Sequence, residues 1–184
     1  MIPEPAPPLS DGIVSLRTWR AEDIPALVDS LDADEEITRW LEMIPQPYTV
    51  AEARIWVEQA ASYWREGTAA PFALVSTEDG EVAGGVGFRW VDLTHAVGEV
   101  GYWVRREARG RGLTTRGVRL VSDWALASLG CERLQLRADV LNLASQRVAQ
   151  KAGFKREGVL RASQLSVRHG RRIDFVMYSL LPDD

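Results

Sequence analysis

Cysteine occurs once in this 184-residue chain, at Cys131, and histidine twice, at His95 and His169. A single cysteine excludes an internal disulfide and suits a reducing compartment. So few sulfur and imidazole ligands leave no ordinary zinc set, so no metal is expected. Excess positive charge is also missing: 22 Lys and Arg against 26 Asp and Glu give a net charge of −4. No overall basic field therefore draws the chain to nucleic acid or to anionic membranes, and any affinity for anions must come from a local patch. No apolar run reaches membrane-spanning length. The opening "MIPEPAPPLS" has neither the basic start nor the apolar core of a signal peptide. With four prolines it reads as a flexible arm, residues 1–12, ahead of one domain, residues 13–184. These absences predict a soluble cytoplasmic protein with no direct nucleic-acid or membrane partner.

What is present is a run of elements with clear ends. Ile13 to Arg17 reads as a strand, followed by helices from about Glu22 to Leu31 and Glu35 to Leu41. Thr49 and Glu52 form a capping box, and Gly67 closes the helix it opens. On that helix Ala53, Trp56, Val57, Ala60 and Trp64 make one apolar stripe. Two strands meet at Asp79-Gly80, a hairpin signal, and Ala96 to Val104 is another strand. A helix from Thr114 to Leu129 is stopped by Gly130; "RLQLRADV" alternates like a strand; Asn142 opens a helix ending at Ala152-Gly153. Two long strands then flank a hairpin turn at His169-Gly170. The order predicts an α/β (α+β) domain, a mixed and mostly antiparallel twisted sheet of about seven strands flanked by about four helices.

"VRREARGRGLTTRG", residues 104–117, concentrates five arginines and three glycines between a strand and a helix. Glycines at such a turn let backbone approach a ligand, and the free N–H groups of a helix start bind anions. The natural ligand is a phosphate or pyrophosphate. No Gly-Lys-Ser/Thr is present and no third glycine completes G-x-G-x-x-G, so neither familiar nucleotide loop fits.

The segment resembles the acyl-coenzyme A pyrophosphate loop of the GNAT acyltransferases, Gln/Arg-x-x-Gly-x-Gly/Ala, with Glu107 a departure at the leading position. Asn142, Ser145, Ala149, Lys151 and Gly153-Phe154 are similar to that family's N-x-x-S…A-x-K-x-G-F helix. "LRTWRAEDIPAL", "GEVGYWV" and "GFKREGVLR…VRHGRRIDFVMYSLL" resemble the Rim-type branch, which acetylates ribosomal-protein N-termini, and the likeness spans residues 13 to 181. The resemblance implies a GNAT fold and an acyl-coenzyme A-dependent N-acetyltransferase. Acetyl-coenzyme A is the co-substrate, no metal is needed, and the acetyl group passes directly to an amine in a ternary complex. The acceptor is a protein N-terminus or a small amine. A larger donor such as succinyl-coenzyme A, an acyl-coenzyme A sensor with little catalysis, and a homodimer stay open.

The resemblance also assigns residues. Arg109, Gly110, Arg111, Gly112, Leu113 and Thr114 would hold the phosphates, mainly through main-chain N–H groups; a strand end with solvated arginines is the alternative. Trp103 and Val104 would lie along the pantetheine, with a main-chain N–H of that strand meeting the oxyanion. Asn142 fits a helix N-cap and, by resemblance, a pantetheine partner. Ser145 shares a helical face with Val148, Ala149 and Ala152; it is either a capping serine or the general acid that reprotonates the thiolate. Glu99, expected among Val97, Val100 and Tyr102 with a raised pKa, is either the general base or a structural ion-pair partner. Some relatives place a glutamate near Gln164, which cannot itself be a base. Trp40, Trp56, Trp64 and Tyr48 are expected mostly in the core, with one or two walling the acceptor pocket. Cys131 and His95 are read as structural.

Overall fold

The computed structural model describes residues 2–32, 34–168 and 170–184; His169, read as part of a hairpin turn, lies outside the described residues. Its frame is an eight-stranded sheet in the order β1-β2-β3-β4-β5-β6-β8-β7. The strands are β1 (Leu9–Ser10), β2 (Val14–Thr18), β3 (Ala69–Ser76), β4 (Val82–Asp92), β5 (Val97–Val104), β6 (Arg133–Asp139), β7 (Lys155–Ser166) and β8 (Arg171–Leu180). Five α-helices are described: α1 (Ile24–Asp32), α2 (Glu35–Trp40), α3 (Val50–Glu66), α4 (Leu113–Leu129) and α5 (Leu143–Lys151). The sheet is mixed and mostly antiparallel, as the sequence predicts: β5 and β6 run parallel, and every other neighbouring pair is antiparallel.

The additional strand is the two-residue β1, which pairs Leu9 with Leu16. Residues before it also lie on the domain. Ile2 is buried and its N–H donates to the Trp64 carbonyl at 3.3 Å. The segment expected to hang free is seated because Ile2 and Leu9 carry apolar surface that the sheet and α3 can cover.

Local signals set the helix ends. Thr49 and Glu52 form the expected capping box, and Gly67 closes α3 at φ 74°. Between them Ala53, Ala60 and Trp64 are buried and Trp56 and Val57 half-buried, so the stripe read from sequence faces the sheet. Alternation along the strands separates two cores. Val86, Phe88, Val100, Leu134 and Leu136 pack on the α4 side, around Trp124, whose ring meets Phe72 edge-on at 5.5 Å. Trp19, Leu27, Leu31, Ala53 and Ala60 pack on the α1–α3 side. Gly117 sits mid-helix in α4 because a Cβ there would come within 2.9 Å of Leu74 Cδ1, so its absence lets helix and sheet close together.

The parallel pairing of β5 with β6 covers Val97↔Arg133, Gly98↔Leu134 and Glu99↔Gln135, and stops. Beyond it β5 stays paired with β4 as far as Val104, and β6 with β8 as far as Asp139. A gap therefore opens in the middle of the sheet.

Candidate active site

That gap is the narrow part of a cleft of about 1540 Å³. One end is lined by Gly110, Gly112 and Thr114, the waist by Tyr102, Asn142 and Ser145, and a broad lobe by Trp40, Trp56 and Arg89. The β5 backbone reaches into it. Arg105 N–H donates to the Ala83 carbonyl at 2.9 Å, in the register that pairs Val104 with Gly84. Alternation in an antiparallel ladder then turns the N–H groups of Trp103 and Gly101 toward β4 and those of Val104 and Tyr102 into the gap. Of the Trp103-Val104 pair, it is Val104 whose main chain faces the cleft. The Trp103 ring stacks instead on Trp19, centroids 6.2 Å apart, walling the α1–α3 side.

The glycine loop is built as its residue types require. Gly110 and Gly112 have φ of 73° and 76°, a left-handed backbone that glycine adopts without strain, and apart from the adjacent residues no atom lies within 4 Å of where a Cβ would stand. Gly112 is the N-cap of α4 and offers no capping side chain. The first N–H groups of α4, at Leu113 and Thr114, thus lack the side-chain acceptor that most helix starts carry. The loop's arginines are less free than their number suggests. Arg109 pairs with Asp34 and, at 2.7 Å, with Glu36; Arg111 reaches Glu78 at 2.5 Å; Arg116 reaches Asp11 at 2.6 Å. Their guanidiniums tie the loop to its surroundings, Arg109 to the start of α2 in particular, and leave the main-chain N–H groups of the glycine turn as its open donors.

Asn142 caps α5: its Oδ1 accepts the Ser145 N–H at 2.9 Å. This holds Ser145 in the first turn, where its Oγ lies 2.7 Å from the Tyr102 hydroxyl across the gap. Tyr102 also donates to the Ser145 carbonyl at 3.0 Å. Burial pushes the Tyr102 phenol up to about 12, with the Ser145 hydrogen bond opposing, so it stays protonated at neutral pH. The sequence reading missed this partnership. The signal was available, since alternation sends Tyr102 to the buried face with Val100, where a hydroxyl needs a partner.

Of the two readings of Glu99, its surroundings are those of the ion-pair partner. Its carboxylate is partly buried, but not among apolar groups. Arg89 Nη2 donates to it at 2.5 Å, Arg137 Nε at 2.8 Å and Gln135 Nε2 at 3.1 Å. Burial works against ionisation, but the Arg137 and Arg89 guanidiniums outweigh it and hold the carboxyl below the usual range, where a raised pKa was expected. The strand register brings these groups together: Arg89 faces Glu99, Glu99 faces Gln135, and Arg137 lies two residues along the same face. Of the aromatics, Trp64 and Tyr48 are buried core residues, whereas Trp40 and Trp56 line the lobe. Cys131 is buried, its Sγ 3.1 Å from the Arg133 carbonyl. Among the described residues no group of three or more His, Cys, Asp or Glu is placed to hold a metal ion. Nor is any described helix long and apolar enough to cross a membrane.

Known proteins resemble this chain in sequence and in fold. A family model described as an acetyltransferase (GNAT) domain matches residues 14–155. The uncharacterized N-acetyltransferase p20 of Bacillus licheniformis is 30% identical over 169 residues, 91% of this chain and 92% of that one. Among solved structures, RimJ of Mycobacterium smegmatis in complex with CoA-disulfide superposes with a TM-score of 0.83 at 20% identity, covering 92% of this chain and 82% of that one. RimL, a ribosomal L7/L12 alpha-N-protein acetyltransferase in complex with coenzyme A, gives 0.83 at 23% identity, covering 96% and 97%. At such identities the structural likeness speaks for the fold.

Proposed function

The chain belongs to the GNAT acetyltransferase family, and on that premise we propose that it moves the acetyl group of acetyl-coenzyme A directly onto a primary amine. The observation that carries this reading is the gap between β5 and β6, which runs from an uncapped helix start to a hydroxyl pair. The open glycine backbone fits a pyrophosphate: Gly110 to Thr114 would hold it through N–H groups, with no Cβ in the way. The acyl arm would then follow β5, whose Tyr102 and Val104 N–H groups face it. The thioester oxygen would draw on one of these donors as negative charge develops.

The chemistry balances without a metal. The acceptor nitrogen attacks the thioester carbonyl carbon, the C–S bond breaks, and the sulfur leaves as a thiolate that takes a proton. Ser145 is the donor we assign. The Tyr102 phenol beside it, protonated at neutral pH, would turn its one O–H from the Ser145 carbonyl to the serine oxygen as the serine proton departs. The amine proton goes to water, and water returns a proton to the Ser145 oxygen, so the enzyme ends as it began. Glu99, ionised and already hydrogen-bonded on both oxygens, makes a poor acceptor, and we give it the role of holding Arg89 and Arg137.

The acceptor class supported by the relatives' names is a protein N-terminus, as for the ribosomal acetyltransferase RimL, with small amines as the other candidates. A screen of N-terminal peptides and small amines with acetyl-coenzyme A, reading thiol release, tests the proposal. Release with an amine, and acetylated product by mass, is the expected result. Coenzyme binding without transfer to any amine would overturn it.

A further inference from the structure

On the α1–α3 face of the sheet, Arg89, Glu99 and Arg137 stand side by side on β4, β5 and β6. One carboxylate serves two guanidiniums, so the trio carries a net charge of about +1. Each arginine spends Nε and Nη2 on Glu99. The Nη1 group of each has no partner among the described residues. Arg89 is 52% exposed and Arg137 31%, and both line the lobe of the cleft that lies past the waist.

The neighbours do not neutralise this charge. Of the acids Glu36 and Glu42 on the same cleft, Glu36 is paired with Arg109 at 2.7 Å, and Glu42 keeps its negative charge while accepting hydrogen bonds from the Ser166 hydroxyl and, at 3.0 Å, the Val167 N–H, so of these two only Glu42 counts against the trio. Arg39 adds another cation, its guanidinium 4.8 Å above the Trp40 ring. In a chain whose net charge is −4, the acceptor side of the cleft is locally positive.

A purely cationic acceptor, such as a polyamine, would enter against that charge. An amine that also bears a carboxylate would meet two guanidinium Nη1 groups already held in place, at little ordering cost. Resting on the acetyltransferase reading, we infer that the Arg89–Glu99–Arg137 trio selects the acceptor and that the acceptor is an amine carrying a carboxylate a few bonds from its nitrogen. Glu99 is the brace of this subsite: it orients both forks and repays part of their mutual repulsion. Two sources supply the chemistry, the N-terminus of a peptide with an early acidic residue and a free amino acid.

The test compares kcat/KM across matched acceptors. One arm uses amidated peptides differing only in Glu, Gln or Lys at the second position. The other uses free amino acids against their amides. The wild type is expected to favour the carboxylate member by about ten-fold or more in one arm, as befits a charge-assisted hydrogen bond. Preference in the peptide arm identifies a protein N-terminus, and in the other a small amino acid. In Arg89→Gln, which leaves Arg137 to neutralise Glu99, that ratio should collapse toward one whatever the absolute loss of rate, and Arg89→Lys should restore part of it. A merely structural arginine would lower both members alike. Should Arg89→Gln fail to fold, the wild-type ratio must still shrink with rising salt. Equal rates for acidic and neutral acceptors, or a ratio that survives Arg89→Gln, would overturn the inference and leave the transferase intact. Absence of thiol release with every amine would overturn the transferase reading and this one with it.

Discussion

Ser145 and Tyr102 meet at 2.7 Å from opposite sides of an open gap, and each depends on the other's position. Ser145→Ala removes the proposed donor while keeping the Asn142 cap, which uses the main-chain N–H. Turnover should fall by about 10² to 10⁴ with coenzyme affinity within a few-fold; an unchanged kcat would make Ser145 a capping residue alone. Tyr102→Phe leaves the serine without its buried partner and should lower kcat by a smaller factor, with KM for the acceptor little changed. Glu99 predicts a different signature. Its native pKa lies below the ordinary 4.5, so the unfolded chain binds the proton more readily. Its contribution to stability is therefore full above the usual carboxylate range and lost as pH falls through the native value. Urea unfolding of wild type and Glu99→Gln should differ by about 1–3 kcal/mol near neutrality, and the difference should shrink in acid. Near neutral pH the rate profiles of the two should keep the same shape, that of the acceptor amine; loss of a limb in the variant would restore Glu99 as a base.

The elements show how far sequence carries. Thr49, Glu52, Gly67 and Gly130 mark helix ends because each acts within one turn of its own chain, and those ends fall where the residues say. Gly110 and Gly112 are equally local, and so the loop was readable. The partners of Arg109, Arg111 and Arg116 were not, since Asp34, Glu78 and Asp11 are brought to them only by the folded sheet and helices. The same holds for Glu99. The alternating pattern of "RLQLRADV" puts Gln135 and Arg137 on one face, but only the parallel β5–β6 register says that the face is Glu99's. Seating of Ile2 against α3 is likewise a tertiary event with no local mark. At the loop, Gly112→Asp places a side chain and a negative charge where backbone should meet phosphate. Calorimetry should find coenzyme A binding weaker by about ten-fold or more, while unchanged affinity would move the pyrophosphate elsewhere.

For the whole molecule, the α4 core and the cleft share strands, so ligand and fold should be thermodynamically linked. Trp124→Ala hollows the cluster of Phe72, Phe88 and Trp64 and should cost about 3–5 kcal/mol in denaturant unfolding. Coenzyme A at 100 times its dissociation constant should add about 2.7 kcal/mol and raise the melting temperature by roughly 5–10 °C. The break between β5 and β6 gives this coupling an address. Half of the last β5 amides are locked to β4, and the other half look into water from the centre of a sheet. Deuterium uptake should therefore alternate along the strand, slow at Gly101 and Trp103 and fast at Tyr102 and Val104. Added coenzyme should erase the alternation by slowing the fast pair, as though a missing ninth strand had been laid into the sheet.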